Sequence, residues 1–214
     1  NTQNYPDKVY KLDSDPVNGT TYFGIDKINI SKLVNYDLVS TIGNILDKKH
    51  QTIDNQTIIK QILITTDKNK SEHIKIKNIL QSAFNDRLII YIINNDTDKL
   101  QDYYKSLSTD LKNINTLQKL TNGAIVIIGL SCFAAGVSVK PAPGVNIQIE
   151  TGNKQYKLFG ITDQVYDAFA TSKPKSMEQN IQAMRLLGCY PVGYKLTLWV
   201  KSDFDSKIIL LRPL

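Results

Sequence analysis

The sequence predicts an α/β fold: a mixed sheet of four to five strands with packed helices, plus an α+β insertion before a final hairpin. Three observations carry this. Amphipathic helical stretches alternate with short apolar runs from Ser31 to Leu130, the pattern of a layered fold with crossover connections. The runs Leu88–Ile93 (LIIYII) and Ala124–Leu130 (AIVIIGL) are apolar at every position or nearly so, which suits strands covered on both faces. Beyond Pro141, the pattern changes to alternating segments separated by turn residues.

In chain order, Asn1–Thr20 is polar, with Pro6, Pro16 and Gly19, and reads as an extended tether ahead of a single domain over 21–214. Tyr22–Ile30 reads as a strand or extended lead-in. Ser31 is a suitable N-cap for a helix to Lys49, with Leu33, Val34, Leu38, Val39, Ile42, Ile45 and Leu46 at helical spacing. Ile58–Thr65 (IIKQILIT) is the first apolar strand. A second helix carries Ile76, Ile79, Leu80, Ala83 and Phe84 on one face and stops at Asn85-Asp86. LIIYII follows, in a central sheet position. Thr97–Leu120 is helical in two pieces, with apolar faces at Leu100, Tyr103, Tyr104 and Leu107 and then at Leu111, Ile114, Leu117 and Leu120. Asn122-Gly123 ends it before AIVIIGL.

The segment 131–191 is too long for a passive connection and reads as a structured insertion. It contains an alternating strand at Val145–Glu150, a tight turn at Thr151–Lys154, a return strand at Tyr156–Ile161 and an amphipathic helix at Met177–Leu187. Tyr194–Val200 (YKLTLWV) and Lys207–Leu211 form the closing hairpin around Asp203-Phe204-Asp205.

The net charge of +6 is spread along the chain: Lys/Arg against Asp/Glu is nine to eight over 1–70, eight to six over 71–140 and nine to six over 141–214. Only Arg87, Arg185 and Arg212 are arginines, so the basic stripe expected of a nucleic-acid binder is missing. The longest apolar stretch, Ala124–Val139, is interrupted by Gly129, Ser131, Gly136 and Ser138 and falls short of the roughly 20 residues of a membrane-spanning helix.

Little in the chain carries chemistry. His50 and His73 are the only histidines, and no nucleophile–base–orienter set or phosphate-binding glycine loop is visible. Asp13/Asp15 and Asp203/Asp205 lie in turn-like segments, where aspartate bonds its own backbone. Glu72 complements a helix start ahead of His73, and Trp199 reads as a sheet-face anchor. Cys132 and Cys189 form no zinc motif. Neither a metal nor a cofactor is expected, and the chain is read as a non-enzyme.

The stretch Ile62–Tyr91 resembles the LpoB-like and CsgG-like (TolB N-terminal-like) family of bacterial periplasmic lipoprotein domains. The matching features are a strand ending in Asn69-Lys70-Ser71, then Glu72-His73-Ile74, an amphipathic helix and a second strand. Asn122–Gly129 (NGAIVIIG) looks like a further strand of that family, and the closing hairpin sits where the family places its last two strands. The match spans Tyr22–Gly129 and Tyr194–Leu211. It departs at Lys75-Ile76, where the family has Asp-Thr, and in a closing Trp and an Asp-x-x-Thr-Gly turn that are missing here.

The resemblance implies a non-enzymatic cell-envelope protein, held at the outer membrane by a lipid anchor upstream of Asn1 and facing the periplasm. It would bind a periplasmic protein partner, in the sharpest version a penicillin-binding protein whose peptidoglycan synthesis it regulates. Asn69, Lys70, Ser71, Glu72 and His73 are the expected partner-binding residues. Two alternatives accompany this: a virulence-associated or secretion-system envelope component, and a small-ligand-binding or enzymatic α/β domain with its site in the loop Thr66–Ser71. The pairing of Cys132 with Cys189 also has two readings, a bridge closing the insertion in an oxidising compartment or two buried thiols in a reducing one.

Overall fold

The structure, a computed structural model, describes residues 28–33, 37–66, 70–93, 97–110, 113–130, 139–142, 147–166 and 193–201. Among these, six strands form one sheet: β1 (Ile28–Leu33), β4 (Gln61–Thr66), β5 (Leu88–Ile93), β6 (Ala124–Leu130), β9 (Asp163–Tyr166) and β10 (Leu196–Lys201). Their order is β1-β10-β9-β4-β6-β5, and every adjacent pair runs parallel. A second sheet, β2-β3-β8-β7, is built from Thr52–Ile53, Gln56–Ile58, Lys154–Lys157 and Gln148–Thr151; it is mixed, with β3 parallel to β8 and the outer pairs antiparallel. The α/β class read from the sequence holds.

Four helices complete the described elements: α1 (Leu38–Asp47), α2 (Lys70–Phe84), α3 (Thr97–Asp110) and α4 (Ile114–Asn122). One face of the parallel sheet, with Ile62, Ile64, Val126, Ile128, Val165 and Trp199, is buried together with α1 and α2 residues Ile42, Ile45, Ile76 and Leu80. Leu63, Ile125, Ile127 and Leu196 face the other way, into a core shared with α3, Leu120 of α4 and the small sheet. The strands alternate between these two cores with the two-residue period of the pleat.

Local chemistry sets the boundaries. The Asp37 carboxylate accepts the Ser40 N–H (2.8 Å) and caps α1, and this bond holds the carboxyl below its ordinary value. Asn85 takes a left-handed φ of 48° where α2 ends. Both antiparallel hairpins use two-residue turns of the handedness that strand twist favours. Asp54-Asn55 has φ of 51° and 65°, and Gly152 supplies φ 59° at the first position of Gly152-Asn153.

Several expectations need correction. The first helix begins at Leu38, not after Ser31, because residues 28–33 pair in parallel with Leu196–Lys201 and Asp37 provides the cap. The first apolar run splits: Gln56–Ile58 belongs to the small sheet, Ile59-Lys60 cross over, and only Gln61–Thr66 joins the large one. LIIYII is an edge strand of the described sheet. Its uniform apolarity instead reflects cover on both faces, with Ile89 and Tyr91 against one core and Ile90 and Ile92 against the other. β10, the first strand expected of the closing hairpin, has a parallel neighbour on each side, β1 and β9. The 131–191 segment contributes the small sheet's hairpin and also β9, which lies inside the large sheet. Met177–Leu187 and Lys207–Leu211 lie outside the described residues.

Candidate functional site

Buried polar residues Lys60, Gln61, Thr162, Asp163 and Thr197 gather at the amino ends of β4, β9 and β10, where α1 ends. Lys60, just before β4, is only 6% exposed. Its Nζ donates to the Leu46 carbonyl (2.9 Å) and to that of Lys48, taking up oxygens that the end of α1 leaves without helical partners. Burial pushes its ammonium below the ordinary lysine value, and the Asp163 carboxylate acts in the opposite direction.

Asp163 opens β9 and is 3% exposed. Its Oδ1 accepts the indole N–H of Trp199 (3.0 Å), and its Oδ2 lies 2.7 Å from the Thr162 hydroxyl. Lys48 Nζ stands 3.5 Å from Oδ1, donates to Thr197 Oγ1 (3.0 Å) and lies 5.3 Å from the centre of the Trp199 ring. A buried carboxylate with this many partners is what burial of a charge demands. Trp199 is thus the sheet-face anchor the sequence suggested, and its N–H has a second use in holding Asp163.

These groups line a cleft of about 210 Å³, walled also by Lys49, His50, Gln51 and Lys195. His50 donates from Nδ1 to the Ile58 carbonyl (2.9 Å) and meets Tyr156 edge-on at 6.1 Å between ring centres. Burial lowers its pKa, so its neutral form is favoured. Gln51 clasps the opposite wall through both amide atoms: Nε2 donates to Lys195 O (2.9 Å) and Oε1 accepts from Lys195 N (3.0 Å). The two walls are therefore tied at Gln51–Lys195 and at Lys48–Thr197, across 144 and 149 residues of chain.

The site residues read from the sequence fall elsewhere. Asn69 lies outside the described residues, as do Cys132, Cys189 and the four turn aspartates. Lys70 opens α2, Ser71 is exposed and Glu72 is half-buried in the helix's first turn. His73 is fully buried, so the expectation that it contacts a partner is corrected; neither ring nitrogen has a hydrogen-bond partner among the described residues. It is buried on the same side of α2 as Ile76 and Leu80, three and seven residues on. The cleft residues were not singled out beforehand. The available signal was Lys60 inside the run IIKQILI, a charge that an apolar strand entry carries only with partners waiting.

Compared with known protein families and with curated proteins, the chain matches none. No group of three metal-ligating side chains occurs among the described residues, and none of the described helices is long and apolar enough to cross a membrane.

Proposed function

We propose that the chain is a non-catalytic cell-envelope protein that binds a periplasmic protein partner through the amino-terminal half of α2. The observation that carries this reading is Ile74. It is 53% exposed, the one large apolar side chain standing in solvent among the described residues, and it belongs to the Glu72-His73-Ile74 stretch that carries the family resemblance. Ser71, Lys75 and Asn78 are exposed around it, giving an apolar anchor with a polar rim. The strand–helix–strand order of β4, α2 and β5 supports the same reading, being the order the resemblance implies. The partner of first choice is a bifunctional penicillin-binding protein.

Biolayer interferometry with the purified periplasmic portion of such a synthase tests it. Ile74→Asp should weaken binding by tenfold or more, about 1.4 kcal/mol, with the circular dichroism unchanged. Equal binding by the wild type and Ile74→Asp would move the surface off α2, and no binding by either would remove this partner.

A further inference from the structure

We propose that the outer edge of β5 docks a second copy of this chain, the two β5 strands pairing antiparallel about a twofold axis so that the large sheet runs through a dimer. This goes beyond the partner surface on α2 and does not depend on it.

The two ends of the large sheet differ. An edge strand offers a row of backbone donors and acceptors, and proteins blunt such rows with charge, proline, bulges or shortness. β1, at one end, reads INISKL, so Asn29, Ser31 and Lys32 interrupt its apolar residues. At the rims of the small sheet, β2 has only two residues and β7 carries the exposed Glu150. β5 has none of these devices. It is six residues long and contains no charge, proline or glycine. Its ladder with Ala124–Gly129 is unbroken on the inner side, and among the described residues no strand pairs with it on the outer side. Ile89, Ile90, Tyr91 and Ile92 remain partly exposed, although α2 covers one face and Tyr91 stacks on Tyr103 of α3 at the other (4.4 Å between ring centres).

The chemistry of this edge narrows what can complete it. An added strand must be apolar on both sides of the pleat, because Ile90 and Ile92 face one core and Ile89 and Tyr91 the other. It must also bring its own cover for both faces, or one exposed apolar edge merely replaces another. A second β5 meets both demands. LIIYII is apolar at every position, so self-pairing sets apolar side chains opposite each other in any antiparallel register, and each copy arrives with helices on both faces. The contact is isologous and closes at two copies, leaving the interrupted β1 edges at the outer ends of the joined sheet. Six residues at about 3.3 Å each make an edge about 20 Å long, and a helix layer about 10 Å across on either face gives a contact of roughly 500 Å² per copy, about 1,000 Å² in all. That reaches the lower bound of specific interfaces, with about six ladder hydrogen bonds added, and suits a dimer that forms in the micromolar range.

Sedimentation velocity on the full chain from about 1 to about 200 μM tests this and should show monomer passing to dimer. Ile92→Lys, which puts a charge on the strand, should raise the concentration of half-association tenfold or more. Ser82→Lys, an equal change in net charge at an exposed position of α2, should sediment as the wild type. Hydrogen exchange on the wild type gives a second readout that needs no variant. The β5 amides turned away from β6 should exchange at least tenfold more slowly at the high concentration than at the low one, with those of β1 unchanged. A monomer throughout the range would overturn the proposal, and outward β5 amides equally protected at both concentrations would show that the chain covers this edge itself. A dimer whose β5 amides do not respond, or equal association by Ile92→Lys and Ser82→Lys, would place the contact elsewhere and overturn it too.

Discussion

Two residues show how local geometry constrains this fold. Gly123, between α4 and β6, has an extended φ of −146°, so left-handed backbone is not what requires glycine there. A Cβ at this position would fall 1.6 Å from the Arg87 carbonyl oxygen and 2.8 Å from that of Lys119. Both obstacles are backbone, and Arg87 immediately precedes β5, whose Leu88 is in register with Ala124. Relief would require moving the first rung of the β5–β6 ladder. Gly123→Ala should therefore cost about 3 kcal/mol, at the upper end of overpacking effects, read as a lowered urea midpoint. His73 makes the opposite case. A fully buried imidazole whose two nitrogens have no partner among the described residues bears a desolvation cost that an apolar side chain of similar size escapes. His73→Leu should leave stability unchanged or raise it by about 1 kcal/mol in the same assay. A clear loss would mean that the ring has a polar partner.

At the scale of elements, legibility followed sequence distance. β5 and β6 were readable to the residue, because fully apolar runs bounded by turn residues have few other uses. The α3–α4 break was equally clear, and Asn113 caps the second piece by accepting the Asn115 N–H (2.9 Å). What local patterns could not disclose was pairing: β1 finds β10 across more than 160 residues, and that partnership overrode a helical reading of Ser31–Leu33. The cleft was hidden for the same reason, since Lys48, Asp163 and Thr197 come from α1's end, β9 and β10. Its wall at β3 gives a pH test. His50 is held by the Ile58 carbonyl with its pKa lowered by burial, so between the folded and unfolded values the unfolded chain carries more protons. This stabilising contribution is present above the unfolded value near 6.5 and is lost as pH falls through the lower folded one. Urea midpoints measured from pH 7.5 to 5 should decline, and His50→Gln should decline less steeply, by up to about one proton's worth of slope.

For the whole molecule, the decisive element is β9, only Asp163–Tyr166 and drawn from the segment that looked like an insertion. It is the bridge of the large sheet. Thr197–Trp199 of β10 pair with it on one side and Ile62–Thr65 of β4 on the other, so among the described residues β1 and β10 are joined to β4, β6 and β5 through β9 and the adjoining Thr162. Val165 fills the core beneath α1 and α2, and Asp163 anchors Trp199 and Lys48 at the cleft. The same segment supplies β7 and β8, whose Ile149 and Tyr156 belong to the opposite core with Leu63 and Ile127. Replacing 131–191 by a short flexible linker would thus expose the inner edges of β4 and β10, open both cores and leave unpaired strand edges that invite association. The shortened chain should lack a cooperative thermal transition and should aggregate in sedimentation velocity, whereas the intact chain melts in one step. A shortened chain that stayed monomeric and melted cooperatively would show that β4 and β10 can pair directly, and that β9 is dispensable to the sheet.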